Sequence, residues 1–278
     1  MKEMFEYLSN FFEKKHIDCW GTIPLDACKV RKPYLLERAG ITHGTVILVA
    51  VPYYTEACAD PARNISAYAV SRDYHAFFEA FYAEALAELR ERFPENRFAG
   101  FSDHSPIDEV EAAARAGLGV IGKNHLLLTE KYSSYIFLGE LVTDAVLPCK
   151  VGEIGVCEGC GLCMKKCPAS DCGGCLSALT QKKGILSADE QAAILRYGSA
   201  WGCDICQEVC PHTKRAIACG SILTPIPFFR EQTLAQLTAD ALDGMSDEVF
   251  ATRAYAWRGR DTVRRNLLLL EAKGEREC

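Results

Sequence analysis

A mixed α+β and α/β architecture in three parts is what the sequence predicts. An α/β domain covers residues 1–148, a bacterial-ferredoxin-like domain with two [4Fe-4S] clusters covers 149–222, and a short helical segment covers 223–278. Three observations predict it. Short β-branched runs alternate with helix-length amphipathic stretches up to about residue 148, the pattern of an α/β domain. Cysteines then follow at 157, 160, 163 and 167 ahead of Pro168, echoed by Cys203, Cys206, Cys210 and Pro211. Beyond a Thr224-Pro-Ile-Pro227 linker the apolar periodicity is helical in short blocks.

Residues 1–15 read as an amphipathic helix with Phe5, Leu8, Phe11 and Phe12 on one side. A short strand is expected at 17–24 and a stronger, β-branched one at 45–51, ended by Pro52. A long helical pattern over 67–93 carries Phe77, Phe78, Phe81, Ala85 and Leu89 inward, and Pro94 stops it. Residues 97–101 read as a strand, 102–106 as a polar break, 109–116 as a helix and 134–142 as a strand. The cysteine region is rich in Gly and Lys with little helix or strand signal, as suits a domain whose core is its clusters. Helices are expected at 231–242, 246–257 and 260–272.

With 278 residues and 49% apolar content the chain can bury a substantial core. A net charge of −6 excludes a broadly basic surface, so any RNA contact has to be local. The N-terminal stretch lacks an apolar signal core, and the longest apolar run, 46–51, is only strand-length. The expectation is a cytoplasmic protein, not membrane-bound, whose fifteen cysteines serve metal rather than disulfides.

The first cysteine run has the C-x2-C-x2-C-x3-C-P spacing by which bacterial ferredoxins hold iron–sulfur clusters. Three thiolates cap one cubane and the fourth ligates the other, so a reciprocal motif is required and 203–211 supplies it. A four-thiolate zinc ribbon is the competing reading, but it leaves the remaining motif cysteines unused. Two cubanes need eight thiolates and the motifs supply seven, so Cys172 or Cys175 is needed. Cys19, Cys28, Cys58, Cys149, Cys219 and Cys278 lack ligand spacing and read as ordinary thiols.

Residues 117–124 match G-x-G-x-x-G literally, yet they follow a helix rather than a strand, and Asn124 stands where a P-loop needs Ser or Thr. A tight turn, or backbone lying flat against a planar ligand, are the alternatives. Asp103 in Ser102-Asp-His-Ser-Pro106 is either a helix cap or a general acid. Arg72-Asp-Tyr-His75 reads as a surface ion-pair cluster.

Taken together, Arg72–His75, Asp103–Pro106, Ala116–Asn124, Phe137-Leu-Gly-Glu140, the four-cysteine run, Cys175–Thr180 and Gly202–Pro211 resemble the epoxyqueuosine reductase family. These are cobalamin-dependent iron–sulfur enzymes related to reductive dehalogenases. The resemblance implies that the α/β domain holds cobalamin with its benzimidazole off cobalt, although a D-x-H-x-x-G corrinoid motif is absent at Asp73-Tyr-His75. It implies one cluster on Cys157, Cys160, Cys163 and Cys210 and the other on Cys167, Cys175, Cys203 and Cys206. It makes Asp103 the proton donor facing the cofactor, and Ser66, Tyr68, Gly122, Lys123, Asn124, Leu138 and Gly139 corrin contacts.

The activity implied is reductive deoxygenation of epoxyqueuosine to queuosine in tRNA, with electrons from an external low-potential donor relayed by the clusters. A corrinoid iron–sulfur reductase acting on a free nucleoside or organohalide, and a ferredoxin-like electron carrier, are the competing expectations. The family usually continues into a C-terminal helical-repeat domain that helps grip tRNA, whereas this chain stops at Cys278, which weakens the tRNA expectation. Its last helices carry Arg253, Arg258, Arg260, Arg264 and Arg265 against Asp261, as a phosphate-meeting stretch or a solvated face.

Overall fold

Strand 45–52 is buried along its whole length, and the first of two compact units is built around it. The computed structural model describes residues 2–169 and 173–277, with side chains described to residue 272. Each unit is assembled from separated stretches. The first comprises Met1–Pro52, His75–Cys160 and Arg215–Ile226; the second comprises Tyr53–Tyr74, Gly161–Lys214 and Pro227–Cys278.

The strands are β1 (Trp20–Pro24), β2 (Thr45–Pro52), β3 (Phe98–Phe101), β4 (Val120–Ile121), β5 (Leu127–Leu128) and β6 (Ile136–Thr143). The helices that cover them are α1 (Lys2–Lys14), α2 (Pro33–Ala39), α3 (Tyr74–Arg92) and α4 (Glu109–Arg115). Four strands form one sheet in the order β1-β2-β6-β3, and β4 pairs with β5 in a separate hairpin. The mixed helix and strand content is as expected, but every pair in the sheet is antiparallel. Alternation of strands and helices does not fix strand direction. Here β6 inserts between β2 and β3 instead of extending a parallel crossover.

On one face Val46, Leu48 and Ala50 pack with Ala112, Ala113 and Ala114 of α4 and with Leu118 and Leu127. By strand alternation Ile47, Val49 and Val51 point to the other face. Gly139 is opposite Val49 and shares that face. A Cβ there would lie 2.3 Å from a Phe78 ring carbon, so α3 lays its rings directly on the β6 backbone. Phe11 and Phe12 of α1 meet Phe81 of α3 at ring separations of 5.6 and 6.1 Å and extend the same layer. Each side chain so buried contributes ~1.5–3 kcal/mol.

Three element expectations change. The long helix begins at Tyr74, not at 67, because the preceding residues are engaged elsewhere: the Ser71 hydroxyl donates to the Phe229 carbonyl and the Asp73 N–H to that of Thr252. The cysteine region is not featureless. Helices form at Leu176–Thr180 and at Ala188–Tyr197, the latter opened by a Ser187/Glu190 capping box, around a small core of Leu176, Leu179, Leu186, Ala193 and Ile194. Of the block expected at 231–242 only Ala239–Asp243 is helical, since Gln232 sits at φ 52 and breaks the run. Among the described residues no helix is long and apolar enough to cross a membrane.

Candidate active site and cysteine loops

The loop after β3 carries Asp103 at φ 61, a left-handed conformation that Asp tolerates better than most residues. Its side chain is 70% exposed, with Oδ2 3.7 Å from the His75 Nε2 of α3. The next residue, His104, is held by the Tyr34 hydroxyl at 2.8 Å and Lys32 Nζ at 3.1 Å. Asp103 does not cap α4. That role belongs to Asp108, whose carboxylate accepts the Glu111 N–H. The carboxyl of Asp103 is therefore presented outward without a structural duty in the helix.

Behind it lie two carboxyls that sequence reasoning passed over. Glu140 of β6, paired with Leu48 and Phe101, is fully buried, and neither of its oxygens has a hydrogen-bond partner. Burial holds its acid form well above the carboxylate range, the neighbouring Glu109 adds to this, and the Ser105 hydroxyl opposes it. Burial also pushes Glu109 up from 4.5 to about 7, with Asp103 and then Asp108 adding and Lys32 opposing. The first turn of α4 would favour the carboxylate, and desolvation outweighs it.

The sign of the pH effect follows. Unfolded, Glu109 loses its proton near 4.5; folded, near 7. Between these values the folded chain binds more protons, so its contribution to stability falls as pH rises through the window and is constant above it. At about 1.4 kcal/mol per pH unit, the span from 4.5 to about 7 amounts to about 3 kcal/mol. Glu109→Gln should remove that slope, gaining on the wild type at pH 8 but not at pH 4. Denaturant titrations at the two pH values check this, and parallel pH dependences would refute it.

The glycine-rich stretch is the end of α4 and a hairpin, not a strand-to-helix nucleotide loop. Gly117 turns at φ 86, β4 and β5 pair, and the Gly122 N–H returns to the Leu126 carbonyl. Ile121 on its outer edge accepts the Cys157 N–H at 3.1 Å and donates to Gly155 at 2.8 Å, so this hairpin fixes the start of the cysteine run. Lys123 leans over the same loop, its Nζ 3.9 Å from the Cβ position of Gly159. A Cβ on Gly122 would strike Asn124, and the open space at Gly139 is taken by Phe78 and Tyr82. Leu138 belongs to the α4 face and Gly139 to the opposite one, so adjacent residues of β6 serve different layers.

In the second unit Asp204, between Cys203 and Cys206, is 2% exposed at its side chain and accepts four hydrogen bonds. They come from Arg63 Nη1 (2.7 Å), the Ser66 hydroxyl (2.5 Å), the Ala67 N–H (2.7 Å) and Gln207 Nε2 (3.1 Å). Trp201 donates to the Tyr68 hydroxyl at 2.7 Å. Gly202 at φ 74 leaves no room for a Cβ, which would sit 2.4 Å from that of Ser66. This positions Ser66 and Tyr68 against the 201–206 loop.

Burial raises the Cys203 thiol to about 12, the Ile205 N–H opposes this, and Asp204, Cys206 and Cys175 add to it, placing Cys206 and Cys175 within electrostatic reach of Cys203. Cys163 is buried, and Cys160 and Cys175 are exposed. Cys172 and Cys278 lie outside the described residues. Burial pushes Cys19 and Cys28 up to about 12, as befits unreactive thiols.

Most of the C-terminal arginines are tied to main-chain carbonyls rather than forming a free basic face, while Arg264 remains solvated. Arg253 donates to the Gln232 carbonyl, Arg260 to those of Leu242 and Met245, and Arg265 to those of Lys182 and Gly184. Arg264 pairs with Asp243, and Arg258 stacks on Trp257 at 3.9 Å.

A family model described as Epoxyqueuosine reductase QueG, DUF1730, matches residues 41–104. The epoxyqueuosine reductase of Gloeobacter violaceus is 32% identical over 232 residues, which cover 80% of this chain and 71% of that protein. That of Listeria monocytogenes is 31% identical over 210 residues, covering 72% and 55% respectively, so the chain spans little more than half of that relative. The epoxyqueuosine reductase structure from Streptococcus thermophilus superposes with a TM-score of 0.79 at 23% identity, over 98% of this chain and 81% of that one. An epoxyqueuosine reductase crystallised with a tRNA-Tyr epoxyqueuosine-modified stem loop gives 0.78 at 22%, over the same shares. At these identities the structures speak for a common fold.

Proposed function

The chain belongs to the epoxyqueuosine reductase family of oxidoreductases, and from that premise we propose that it reduces the epoxide of epoxyqueuosine in tRNA to the alkene of queuosine. The observation that carries this reading is Asp103, an acid held outward on a loop and free of capping duty, in a chain that also carries the cysteine set. The reaction consumes two electrons and two protons and releases water. A tRNA substrate implies a cytoplasmic site, and a low-potential external donor supplies the electrons.

The eight thiols suit two four-iron clusters, Cys157, Cys160, Cys163 and Cys210 holding one and Cys167, Cys175, Cys203 and Cys206 the other. In support, Cys175 and Cys206 both act electrostatically on Cys203, and glycines 159, 161 and 202 turn the loops at positive φ. For a corrinoid the support is narrower. The outward Asp103 suits a ligand lying over its loop, whereas Gly122 and Gly139 are used by internal contacts and the Ser66 and Tyr68 hydroxyls are engaged by Asp204 and Trp201, leaving Lys123, Asn124 and Leu138 of the implied contacts. When bound, the clusters and corrinoid supply the two electrons that break the carbon–oxygen bond. Asp103 would give the departing oxygen one proton from its carboxyl, and the oxygen leaves as water once the second proton of the reaction has reached it.

A second reading, a reductase of the same build acting on a small molecule, is favoured by one observation: Arg253, Arg260 and Arg265 are committed to main-chain carbonyls of the chain. One experiment addresses both. The chain reconstituted anaerobically with iron, sulfide and cobalamin should bind about eight iron atoms and, with a low-potential reductant, convert an epoxyqueuosine stem loop. Conversion of the free nucleoside alone would favour the second reading, and conversion of neither would overturn both. Cys175→Ala should lose about half the iron; full retention would remove Cys175 from the ligand set.

A further inference from the structure

We propose that Glu109, with Glu140 behind it, recharges Asp103 and so delivers the second proton of each turnover. The inference rests on the deoxygenation reading, because that reaction takes up two protons while Asp103 carries one. Three carboxyls of graded exposure lie around the Asp103 loop: Asp103 is exposed, Glu109 is half-buried with Oε2 unpartnered among the described residues, and Glu140, opposite Phe101 in the sheet, is buried with both oxygens unpartnered among them.

A buried carboxyl that serves only architecture is hydrogen-bonded or ion-paired, since an unpaired one costs stability. Glu140 is neither. It stands on the apolar face formed by Ile136, Leu138 and Val142, where a leucine would pack. The charged and titratable groups that act on Glu109 are Asp103, Asp108 and Lys32. Those that share the surroundings of Glu140 are Glu109, Tyr82 and Cys28. No cation neutralises Glu140 in this set, so it stays protonated and denies Glu109 a compensating charge. Glu109 thus keeps a proton up to about pH 7, the range in which a donor is most effective.

The transfer balances without a further reactant. Asp103 protonates the leaving oxygen and becomes a carboxylate. The Glu109 O–H bond breaks as an Asp103 O–H bond forms, directly or across one water, and Glu109 regains its proton from solvent. Glu109 acts through Asp103 and is a positioning and relay residue rather than a catalytic one.

Two measurements test this on the full chain. Infrared titration of the resting protein should show a carboxyl band lost near pH 7, absent from Glu109→Gln. In turnover, Glu109→Gln should lower kcat roughly tenfold or more with KM unchanged and lose the limb of the kcat–pH profile near pH 7; Glu109→Asp should restore part of both. A missing band in the wild type, or a Glu109→Gln variant with wild-type kcat and pH profile, would overturn the relay. A wild type that shows the band but reduces neither RNA nor nucleoside would overturn the functional reading, and the relay's role with it.

Discussion

Asp103→Asn is expected to lower kcat on an epoxyqueuosine stem loop by roughly 10²–10⁴-fold, the range for losing a general acid, and to leave the unfolding temperature unchanged. Asparagine is the informative replacement because the residue sits at φ 61, where Asn is as comfortable as Asp and Ala is not. The variant keeps the backbone and the shape and removes only the proton. The side chain is 70% exposed, its contact to His75 is 3.7 Å long, and it caps nothing, so there is little stability to lose. Iron content and the corrinoid spectrum should match the wild type. Activity within a few fold of wild type would mean that the proton comes from elsewhere, with His75 the nearest alternative on the same rim.

What could be read from sequence differs sharply between these sites. The cysteine motifs announce themselves because cluster ligation imposes fixed spacing on a short segment. Asp103 stayed ambiguous between cap and acid, since both roles ask for the same side chain ahead of a helix; only the location of the cap at Asp108 separates them. The strand directions were illegible because alternation reports element type and not pairing. Residues 66–73 carry helical periodicity yet are held by partners far along the chain, Phe229 and Thr252, which no local pattern reveals. Glu140 was legible and missed. In Ile136–Thr143 the alternate positions Ile136, Leu138, Glu140 and Val142 put an acid on an otherwise apolar face, and that mismatch with the period of two is the signal of a buried, functional carboxyl.

Asp204 lies between two motif cysteines in Cys203-Asp-Ile-Cys206, and its replacement should have the largest effect on stability. Asp204→Ala is expected to cost about 3–5 kcal/mol, the range for removing one partner of a buried ion pair. The loss is not that of one contact. Arg63, only 13% exposed, would keep Glu208 but lose its buried partner, and the Ser66 hydroxyl and Ala67 N–H would lose the acceptor they share in a buried position. Asp204→Asn keeps the shape and one acceptor oxygen but loses the charge, so it should fall between the two. Because the same carboxylate ties residues 63–67 to the loop bearing Cys203 and Cys206, the Ala variant should also take up less iron at matched protein concentration. Denaturant midpoints and iron analysis on reconstituted protein read the two effects separately. If stability drops while iron uptake is unchanged, the network braces the unit without shaping the cysteine loop. If neither moves, the four hydrogen bonds contribute nothing net, contrary to the desolvation argument on which the prediction stands.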